Sequence, residues 1–477
     1  MTDESTSAGT RTYDVVVIGA GPVGETVADR AHRGGLTVCV VEEHLVGGEC
    51  SYYACVPSKA LLRPIQLQAA TGRVRGVGRA ELDVAEVLAR RDGQIGDLND
   101  QGQVDWLASA GLDLVRGHGR LAGDRRVEVT GADGRQVRLE ARQAVVLSTG
   151  TRAAIPAIPG LREARPWTNR EATTAREVPG RLIVLGGGVV ACELALVYAG
   201  LGAEVTVVVR GTRLIERTED IAGDLVADGL RNAGVALRMG VQATGVRRDG
   251  PAGEVTVALA DGTTITSDEV LAALGRRPAS GDLGLETVGL EPGGYVQVDD
   301  RLRVTAVDDG WLYATGDING RNLLTHMGKY QGRVCGDVIA ARAAGRSDEG
   351  LSLSAVADHA GPPQVIFTDP EVAAVGMTSV RAREAGLDVD VVDVEMNSAA
   401  GAGLLADGYV GKARLVVDRR RHVVVGATFI GQDTAEMVHA ATIAMIGEVP
   451  LDRLWHAVPS FPTMSEVWLR LLEKYGL

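Results

Sequence analysis

The sequence has few cysteines and no long apolar run, and each shortage excludes a class of protein. Five cysteines among 477 residues are too few for a secreted fold held by disulfides. We therefore expect a cytoplasmic protein in which any disulfide is catalytic. The apolar runs are too short to span a bilayer, and the polar first dozen residues indicate no secretory signal, so we expect no membrane partner.

Charge of one sign is not concentrated in any segment. Acidic and basic residues are interspersed and the formal net charge is −13, which argues against a nucleic-acid partner. Aromatic residues make up only 4% of the chain, whereas glycine is abundant at 62 residues. This composition favours an α/β protein with many tight turns, and the length allows about two to four domains.

A dinucleotide-binding pattern opens the chain. An apolar, β-branched run at 13–18 predicts a buried parallel strand that leads directly into a glycine turn. Gly19 permits the tight turn, Gly21 lets a diphosphate approach the backbone, and Gly24 allows close packing of helix on strand. The next strand ends at Glu42, where an acid is expected to meet a ribose hydroxyl.

The same pattern occurs a second time. Residues 181–185 predict a strand, and Gly186, Gly188 and Ala191 form the following turn, with alanine in the third glycine position. A helix and a further strand follow. Two nucleotide modules in one chain predict one FAD and one nicotinamide cofactor.

Arginines follow the second module at the place where an acid would bind ribose hydroxyls. They are Arg210, Arg213 and Arg217. A guanidinium group can bind a 2′-phosphate with paired hydrogen bonds, so we favour NADPH, with NADH as the second choice. The alternative interpretation is that these arginines only point into solvent.

A pair of cysteines lies just past the first glycine turn. Cys50 and Cys55 are five residues apart, and Lys59 follows four residues later. In a regular helix residues at this spacing have α-carbons roughly 8–9 Å apart, whereas a disulfide needs less than about 7 Å. We therefore expect a distorted backbone between them if they bond. Lys59 can lower the pKa of a nearby thiol; the alternatives are two unrelated thiols and a surface lysine.

The remaining segments are predicted from their patterns alone. Residues 60–115 are expected to be helical, 126–142 to form hairpins, and 144–150 to form another buried strand. Residues 271–278 are expected to form one strand that returns to the first module. From about residue 350 onwards, alternating strands and helices indicate a separate α/β domain.

These motifs together resemble the flavin-dependent pyridine nucleotide–disulfide oxidoreductases, and the resemblance covers nearly the whole chain. It rests on the two glycine turns, Cys50 and Cys55, and the segments 57–59, 315–317, 368–371 and 462–466. The resemblance implies that Cys50 exchanges with substrate and that Cys55 contacts the flavin. It also implies that Lys59 pairs with Glu193 near the flavin N5. A homodimer is expected, in which the C-terminal domain lends its tail to the partner's active site.

The chain departs from the family pattern in the loop between the cysteines and near the C-terminus. Tyr52 and Ala54 stand where the family usually has asparagine and glycine. Phe461 stands where disulfide reductases of the family carry an acid–base histidine, although Glu466 is present. Since such a group contributes on the order of a hundredfold to ten-thousandfold, ordinary disulfide reduction is expected to be impaired. His456 either replaces the missing acid–base histidine or has a structural role, and we favour the structural role.

The leading functional prediction is an enzyme that passes electrons from NADPH through FAD and Cys50/Cys55 to a disulfide or other thiol-reactive small molecule. The alternatives are a quinone or dye reductase with direct transfer from the flavin, a dihydrolipoamide dehydrogenase, and a non-catalytic scaffold or sensor. No cysteine follows Cys335, which argues against a mercuric reductase. No metal site is predicted.

The predicted fold class is α/β, with two Rossmann-like domains and a C-terminal α/β dimerisation domain. The FAD-binding domain comprises residues 1–153 and 279–348, the NAD(P)-binding domain 154–278, and the dimerisation domain 349–477. The predicted catalytic residues are Cys50, Cys55, Lys59, Glu193 and Glu466. The predicted cofactor-binding residues are Gly19, Gly21, Gly24, Glu42, Gly48, Lys59, Thr149, Gly150, Gly186, Gly188, Ala191, Arg210, Arg217, Gly275 and Asp317, the last as an acceptor for the ribityl chain.

Overall fold

The structure, a computed structural model, describes residues 9–477. Residues 1–8, which open the polar stretch considered above for a secretory signal, lie outside the described residues. The strands are β1 Arg11–Ile18, β2 Val38–Glu42, β3 Asp113–Arg116, β4 His118–Leu121, β5 Arg126–Thr130, β6 Gln136–Leu147, β7 Thr151–Ala153, β8 Arg181–Leu185, β9 Glu204–Val209, β10 Ala236–Met239, β11 Ala243–Arg248, β12 Val255–Leu259, β13 Thr264–Ser267, β14 Glu269–Ala272, β15 Arg276–Pro278, β16 Leu312–Ala314, β17 Gln364–Ile366, β18 Glu371–Gly376, β19 Val389–Glu395, β20 Lys412–Asp418 and β21 Val423–Gly431. The helices are α1 Pro22–Arg33, α2 Gly48–Tyr52, α3 Cys55–Thr71, α4 Val84–Gln94, α5 Gln101–Ser109, α6 Asn169–Thr174, α7 Val189–Gly200, α8 Asp220–Asn232, α9 Thr325–Ala343, α10 Ala357–Ala360, α11 Ser379–Glu384, α12 Ala400–Leu405, α13 Val438–Ile446, α14 Leu451–Leu454 and α15 Val467–Tyr475.

The described chain divides into two compact units, each formed from separate stretches of sequence. The first unit contains the described residues up to Val56, then Ile95–Arg152 and Arg276–His359. The second unit contains Pro57–Gln94, Ala153–Gly275 and Ala360–Leu477. The boundaries predicted at residues 153, 278 and 348 stay predictions.

The first unit is built on a seven-stranded sheet in the order β3-β2-β1-β6-β5-β4, with β16 also paired to β6. Strands β3, β2, β1, β6 and β16 run parallel to one another, and β5 and β4 extend the sheet from β6 as antiparallel strands. Residues 15–17 of β1 and 145–147 of β6 are fully buried. Their continuous apolar runs fit strands that are covered on both faces.

Helix α9 lies along helix α1 at a distance that only glycine allows. A Cβ at Gly332 would lie 3.0 Å from the carbonyl oxygen of Val23, and one at Gly336 would lie 2.5 Å from the Cβ of Arg30. Gly328, one turn earlier in α9, also faces Val23. These three glycines fix the helix that carries Thr325 as its first residue.

The second unit contains the other nucleotide module and the C-terminal sheet. The module is a parallel sheet in the order β10-β9-β8-β14. Helix α7 follows β8 in the sequence, and helix α8 follows β9. Strands β11, β12 and β13 form a small antiparallel sheet. The C-terminal sheet is antiparallel in the order β17-β18-β21-β20-β19. The predicted α/β fold class and both strand–turn–helix modules are confirmed.

Arg414 on β20 connects the C-terminal sheet to helix α8 inside the second unit. Its guanidinium donates hydrogen bonds at 2.8 Å to both Glu219 and Asp220. It also donates to both oxygens of Asp393, at 2.7 Å each. Glu219 is buried and accepts further hydrogen bonds from the backbone N–H and the hydroxyl of Ser379. The buried carboxylate of Glu219 therefore accepts hydrogen bonds from residues of β20 and α11.

Three segment predictions are wrong in detail. The helical prediction for 60–115 fails at its end, because Asp113–Arg116 is a strand that pairs with β2. The segment 144–150 is not a separate strand, because β6 continues into it from the hairpin and ends at Leu147. The single strand predicted at 271–278 is two strands, because Gly275 with a φ of +113° interrupts the extended backbone.

Candidate active site

The first glycine turn has the backbone geometry that its glycines predict. Gly19 has a φ of +104°, and a Cβ there would lie 2.5 Å from the carbonyl oxygen of Ser148. A Cβ at Gly24 would lie 1.9 Å from the carbonyl oxygen of Gly19, so only glycine lets α1 start this close to the turn. Gly21 caps α1 without a side chain, which leaves a helix N-terminus suited to a diphosphate.

The backbone at Gly48 crosses this turn at close range. A Cβ on Gly48 would lie 2.7 Å from the Cα of Gly21. Glu42 is fixed beside the turn, since its two carboxylate oxygens accept hydrogen bonds from the N–H groups of Ala20 at 2.7 Å and His44 at 2.8 Å. Backbone atoms line this crevice, and the carboxylate of Glu42 lies at its end. This arrangement fits the diphosphate and ribose of FAD.

Asp317 is held by groups from two other segments of the first unit. Its Oδ2 accepts a hydrogen bond from the Thr151 hydroxyl at 2.7 Å and lies 4.0 Å from Nε of Arg276. Burial raises the pKa of Asp317, whereas the Thr151 hydroxyl and Arg276 lower it. Arg276 also bonds to Glu49, the residue before Cys50. The carboxylate predicted to bind the ribityl chain is thereby connected to the start of the thiol segment.

Thr149 and Gly150 follow β6, and both form hydrogen bonds with the backbone of Ala279. The Thr149 hydroxyl donates to the carbonyl oxygen of Ala279 at 3.0 Å, and the carbonyl oxygen of Gly150 accepts from the Ala279 N–H at 3.0 Å. Gly150 has a φ of +69°, which a residue with a Cβ seldom adopts. The cofactor contacts of both residues stay predictions.

The two cysteines lie on either side of a break between helices. Helix α2 ends at Tyr52, Tyr53 leaves the helical conformation with a φ of −134°, and α3 begins at Cys55. The expected backbone distortion is therefore present. It brings the thiol of Cys50 into hydrogen-bond contact with that of Cys55, and both residues are half-buried.

Thr325 touches this thiol pair from the head of helix α9. Its Oγ1 lies 3.4 Å from the Sγ of Cys55. The hydrogen bond with Cys55 and burial both raise the pKa of the Cys50 thiol, whereas the Thr325 hydroxyl lowers it. The net effect is a pKa above the usual value for a thiol, which opposes the reactive thiolate form, and the Thr325 hydroxyl offsets part of this increase.

Lys59 and Glu193 form an ion pair inside the second unit. Nζ of Lys59 lies 2.5 Å from Oε2 of Glu193, whose side chain is only 4% exposed. The other oxygen of Glu193 accepts a hydrogen bond from the Phe367 N–H at 2.9 Å. The Lys59 ammonium also lies 5.0 Å from the centre of the Phe367 ring. The pair itself is present, and its placement near the flavin stays a prediction.

The second glycine turn repeats the geometry of the first. Gly186 has a φ of +123°, and a Cβ there would lie 2.2 Å from the carbonyl oxygen of Ala273. Gly188 caps α7 without a side chain, and Ala191 is fully buried. A methyl group therefore fits where the first turn needs a glycine. The open N-terminus of α7 fits a second diphosphate.

The arginine-containing segment 210–217 is folded back onto this second turn. The N–H of Ile215 donates to the carbonyl oxygen of Gly187 at 2.7 Å. The side chains of Arg210 and Arg217 are exposed. This arrangement places the segment beside the turn, where the adenosine ribose of a dinucleotide lies.

The chain matches two protein-family models in order along its sequence. Residues 13–337 match pyridine nucleotide-disulphide oxidoreductase, and residues 362–471 match the dimerisation domain of the same family. The chain belongs to the pyridine nucleotide–disulfide oxidoreductase family. It is therefore an FAD-dependent oxidoreductase that uses a nicotinamide nucleotide, and the resemblance seen in the motifs is confirmed.

Relatives of this oxidoreductase cover nearly the whole chain. A mercuric reductase from Staphylococcus aureus is 28% identical over 463 residues, which cover 95% of this chain and 81% of the relative. A dihydrolipoyl dehydrogenase from Thermus scotoductus is 32% identical over 466 residues, which cover 96% of each chain. The solved structure of the flavoprotein disulfide reductase RclA from Escherichia coli, as a Cu(II) complex, has a TM-score of 0.83 at 24% identity and covers 97% of this chain and 99% of its own. That likeness shows the fold.

The residues near the C-terminus of this oxidoreductase that were considered for catalysis differ in how deeply they are buried. Glu466 is buried, and its Oε2 accepts a hydrogen bond from the Ala400 N–H at 3.1 Å. Phe461 is 77% exposed, and His456 is also exposed. Glu466, Phe461 and His456 belong to the second unit, as does Ala400. The catalytic role predicted for Glu466 and the structural role favoured for His456 stay predictions.

Three residues that contact the predicted site were not identified from the sequence. They are Thr325 at the thiols, Arg276 beside Asp317, and Phe367 at Glu193. Thr325 is the first residue of helix α9, and a hydroxyl at a helix start gives no sequence signal of thiol chemistry. Phe367 directly precedes the family segment 368–371, which is the one signal that could have drawn attention to it.

Membrane and metal features are both missing from the described part of the oxidoreductase. No helix within residues 9–477 is long and apolar enough to cross a membrane. Over the same residues, no group of three or more His, Cys, Asp or Glu side chains is arranged to hold a metal ion.

Glu25, in the first turn of α1, is a buried carboxyl that the sequence did not single out. Within residues 9–477 no hydrogen-bond donor reaches its Oε1. Burial raises the pKa of Glu25 from its usual 4.5 to about 7, with Glu42 adding to the increase and Lys329 opposing it. The folded protein therefore holds a proton on Glu25 that the unfolded chain releases near pH 4.5.

We expect Glu25→Gln to stabilise the protein at high pH and to change little at low pH. Below pH 4.5 both states are protonated and ionisation carries no penalty. As the pH rises through 4.5 to 7 the folded state loses stability relative to the unfolded chain, reaching roughly 3 kcal/mol above pH 7. The check is the apparent Tm of both proteins at pH 5 and pH 8.5, with a gain of a few degrees expected only at pH 8.5. An equal gain at both pH values would contradict the assignment.

Proposed function

We propose that this oxidoreductase takes electrons from NADPH and uses Cys50 and Cys55 to reduce a disulfide or another thiol-reactive small molecule. The observation that supports this most is the contact between the two thiols at the break between α2 and α3, with the Thr325 hydroxyl beside them. FAD, when bound, supplies the two-electron chemistry between the nucleotide and the thiols.

The thiols account for the exchange with a disulfide acceptor. The thiolate of Cys50 attacks one acceptor sulfur, which forms a mixed disulfide and releases the first half of the acceptor as a thiolate. The thiolate of Cys55 then attacks the Cys50 sulfur, which closes the intrachain disulfide and releases the second half. Two electrons pass to the acceptor, and the released thiolates take their protons from water.

The missing histidine limits the class of acceptor. Phe461 stands in the family's acid–base position and cannot donate a proton to a leaving thiolate. Acceptors with leaving groups of low pKa, or acceptors that are not disulfides, therefore suit this site better than ordinary disulfides. We propose that the active site forms in a cytoplasmic homodimer, with the partner's C-terminal tail contributing, and the dimerisation-domain match supports the dimer.

NADPH is the proposed electron donor because of the segment that follows β9. Arg210, Arg213 and Arg217 lie on a segment that is hydrogen-bonded back onto the second glycine turn. Guanidinium groups in this position suit a 2′-phosphate. We also propose that the Lys59–Glu193 pair lies near the flavin N5, as the family resemblance implies.

The stoichiometry of reduction tests the use of the thiols. Under anaerobic conditions we expect the oxidised protein to consume about two equivalents of NADPH, one for FAD and one for the Cys50–Cys55 disulfide. The Cys50→Ser/Cys55→Ser double variant should consume about one equivalent, because only FAD remains to be reduced. Spectroscopic titration measures both values. Equal consumption by the two proteins would show that the thiols receive no electrons.

A dihydrolipoyl dehydrogenase is the second candidate, because relatives about as long as this chain carry that name, such as the one from Thermus scotoductus. Phe461 and the arginine-containing segment count against it. An assay of NAD⁺ reduction by dihydrolipoamide separates the two: turnover comparable to NADPH-driven reduction of an activated disulfide would favour this candidate.

A further inference from the structure

The segment 210–217 holds a carboxylate as well as its arginines. Gly211 comes directly after Arg210 at the end of β9. A Cβ at Gly211 would lie 1.8 Å from Oε1 of Glu216 and 2.8 Å from its Cδ. The carboxylate of Glu216 therefore lies against the Gly211 backbone, in space that any other residue at position 211 would fill.

Backbone hydrogen bonds on both sides fix the segment that carries Glu216, whose side chain is exposed. The carbonyl oxygen of Gly211 accepts from the Gly240 N–H at 2.8 Å, just past the end of β10. At the other end of the segment, Ile215 donates to the carbonyl oxygen of Gly187 in the glycine turn at 2.7 Å. Glu216 follows Ile215 directly and its carboxylate lies against Gly211, so it lies between the turn and the end of β9. In this fold the adenosine ribose lies at that place.

The half-buried arginine of the segment, Arg213, lies near an acidic residue that follows the segment. Burial raises the pKa of Asp220, but the Ile221 N–H, Arg414 and Arg213 together lower it below its usual value. Arg213 therefore lies within electrostatic reach of Asp220.

We propose that Glu216 is a specificity-determining residue that opposes the arginines. Its carboxylate accepts a hydrogen bond from the adenosine ribose hydroxyls of NADH and repels the 2′-phosphate of NADPH. This inference rests on the proposed function, in which the second turn binds the nicotinamide nucleotide. The enzyme then uses both nucleotides, and the charge of one side chain sets the balance between them.

The test compares Glu216→Gln with the wild-type holoenzyme. We expect kcat/KM to fall about tenfold with NADH and to rise about tenfold with NADPH, because a charge-assisted hydrogen bond and a charge repulsion are both removed. Calorimetric titration with 2′,5′-ADP and 5′-ADP measures the same preference without turnover. Gly211→Ala should shift the preference in the same direction, because its methyl group displaces the carboxylate.

Glu204→Gln is the matched control. It removes the same charge from an exposed residue at the opposite end of β9, and neither affinity should change. Arg213→Ala tests the proposed NADPH site itself and should weaken 2′,5′-ADP binding. If it does not, the NADPH assignment and the inference fall together. If it does, but Glu216→Gln changes both affinities equally or leaves both unchanged, only the inference is wrong.

Discussion

Serine in place of Cys50 is expected to lower acceptor turnover by at least about a thousandfold, because a serine hydroxyl cannot form the mixed disulfide. Reduction of the bound FAD by NADPH should continue, since it does not need this sulfur. The substitution is small, and the half-buried site beside Cys55 and Thr325 accommodates a hydroxyl. Anaerobic stopped-flow measurement of FAD reduction, followed by steady-state assay with an activated disulfide, separates the two half-reactions.

Cys335→Ala serves as the control for this experiment. Its thiol is fully buried in helix α9, among core residues, and is not expected to take part in exchange. Turnover in this variant should stay close to the wild-type value. If Cys50→Ser retains turnover within about tenfold of wild type, the thiol mechanism is wrong. Direct transfer to a quinone or dye, the alternative drawn from the sequence, would then be favoured.

Removing the ammonium of Lys59 is expected to destabilise the protein by about 2–3 kcal/mol, because it leaves a buried carboxylate with one partner fewer. Glu193 is 4% exposed, whereas the Lys59 side chain is 36% exposed. After Lys59→Met, Glu193 keeps only the hydrogen bond from the Phe367 N–H among the contacts described above. Urea unfolding at saturating FAD measures the loss as a lower midpoint.

The two partners of this ion pair should respond unequally to substitution. Glu193→Gln keeps an oxygen for the Phe367 N–H and leaves the partly exposed ammonium in contact with water, so it should cost only about 1 kcal/mol. The double variant Lys59→Met/Glu193→Gln should lose less than the sum of the two single changes. Strictly additive losses would show that the two charges do not stabilise one another.

The nucleotide modules could be predicted from sequence because their determinants are local. Gly24 in the first turn, for example, is required by the carbonyl oxygen of Gly19, which lies only a few residues earlier in the chain. A distorted backbone between Cys50 and Cys55, if they bond, was expected from their spacing and from helix geometry alone. Local constraints of this kind leave a readable pattern in the residues themselves.

The contacts around the thiols and the ion pair could not be predicted in the same way. Thr325 is 270 residues from Cys55, and Phe367 is 174 residues from Glu193. Neither contact has a periodic or compositional signal, because chain topology brings the partners together. The strand at Asp113–Arg116 was missed for the same reason, since its pairing with β2 joins distant parts of the chain.

The close approach of helices α9 and α1 makes thiol reactivity sensitive to a remote position. Gly332 lets the two helices touch, and Thr325 at the head of α9 touches the sulfur of Cys55. A bulky side chain at Gly332 would push α9 away from α1 and carry the hydroxyl with it. An inherited change two turns along that helix would then alter the midpoint potential of the dithiol, although no group at the sulfurs had been replaced.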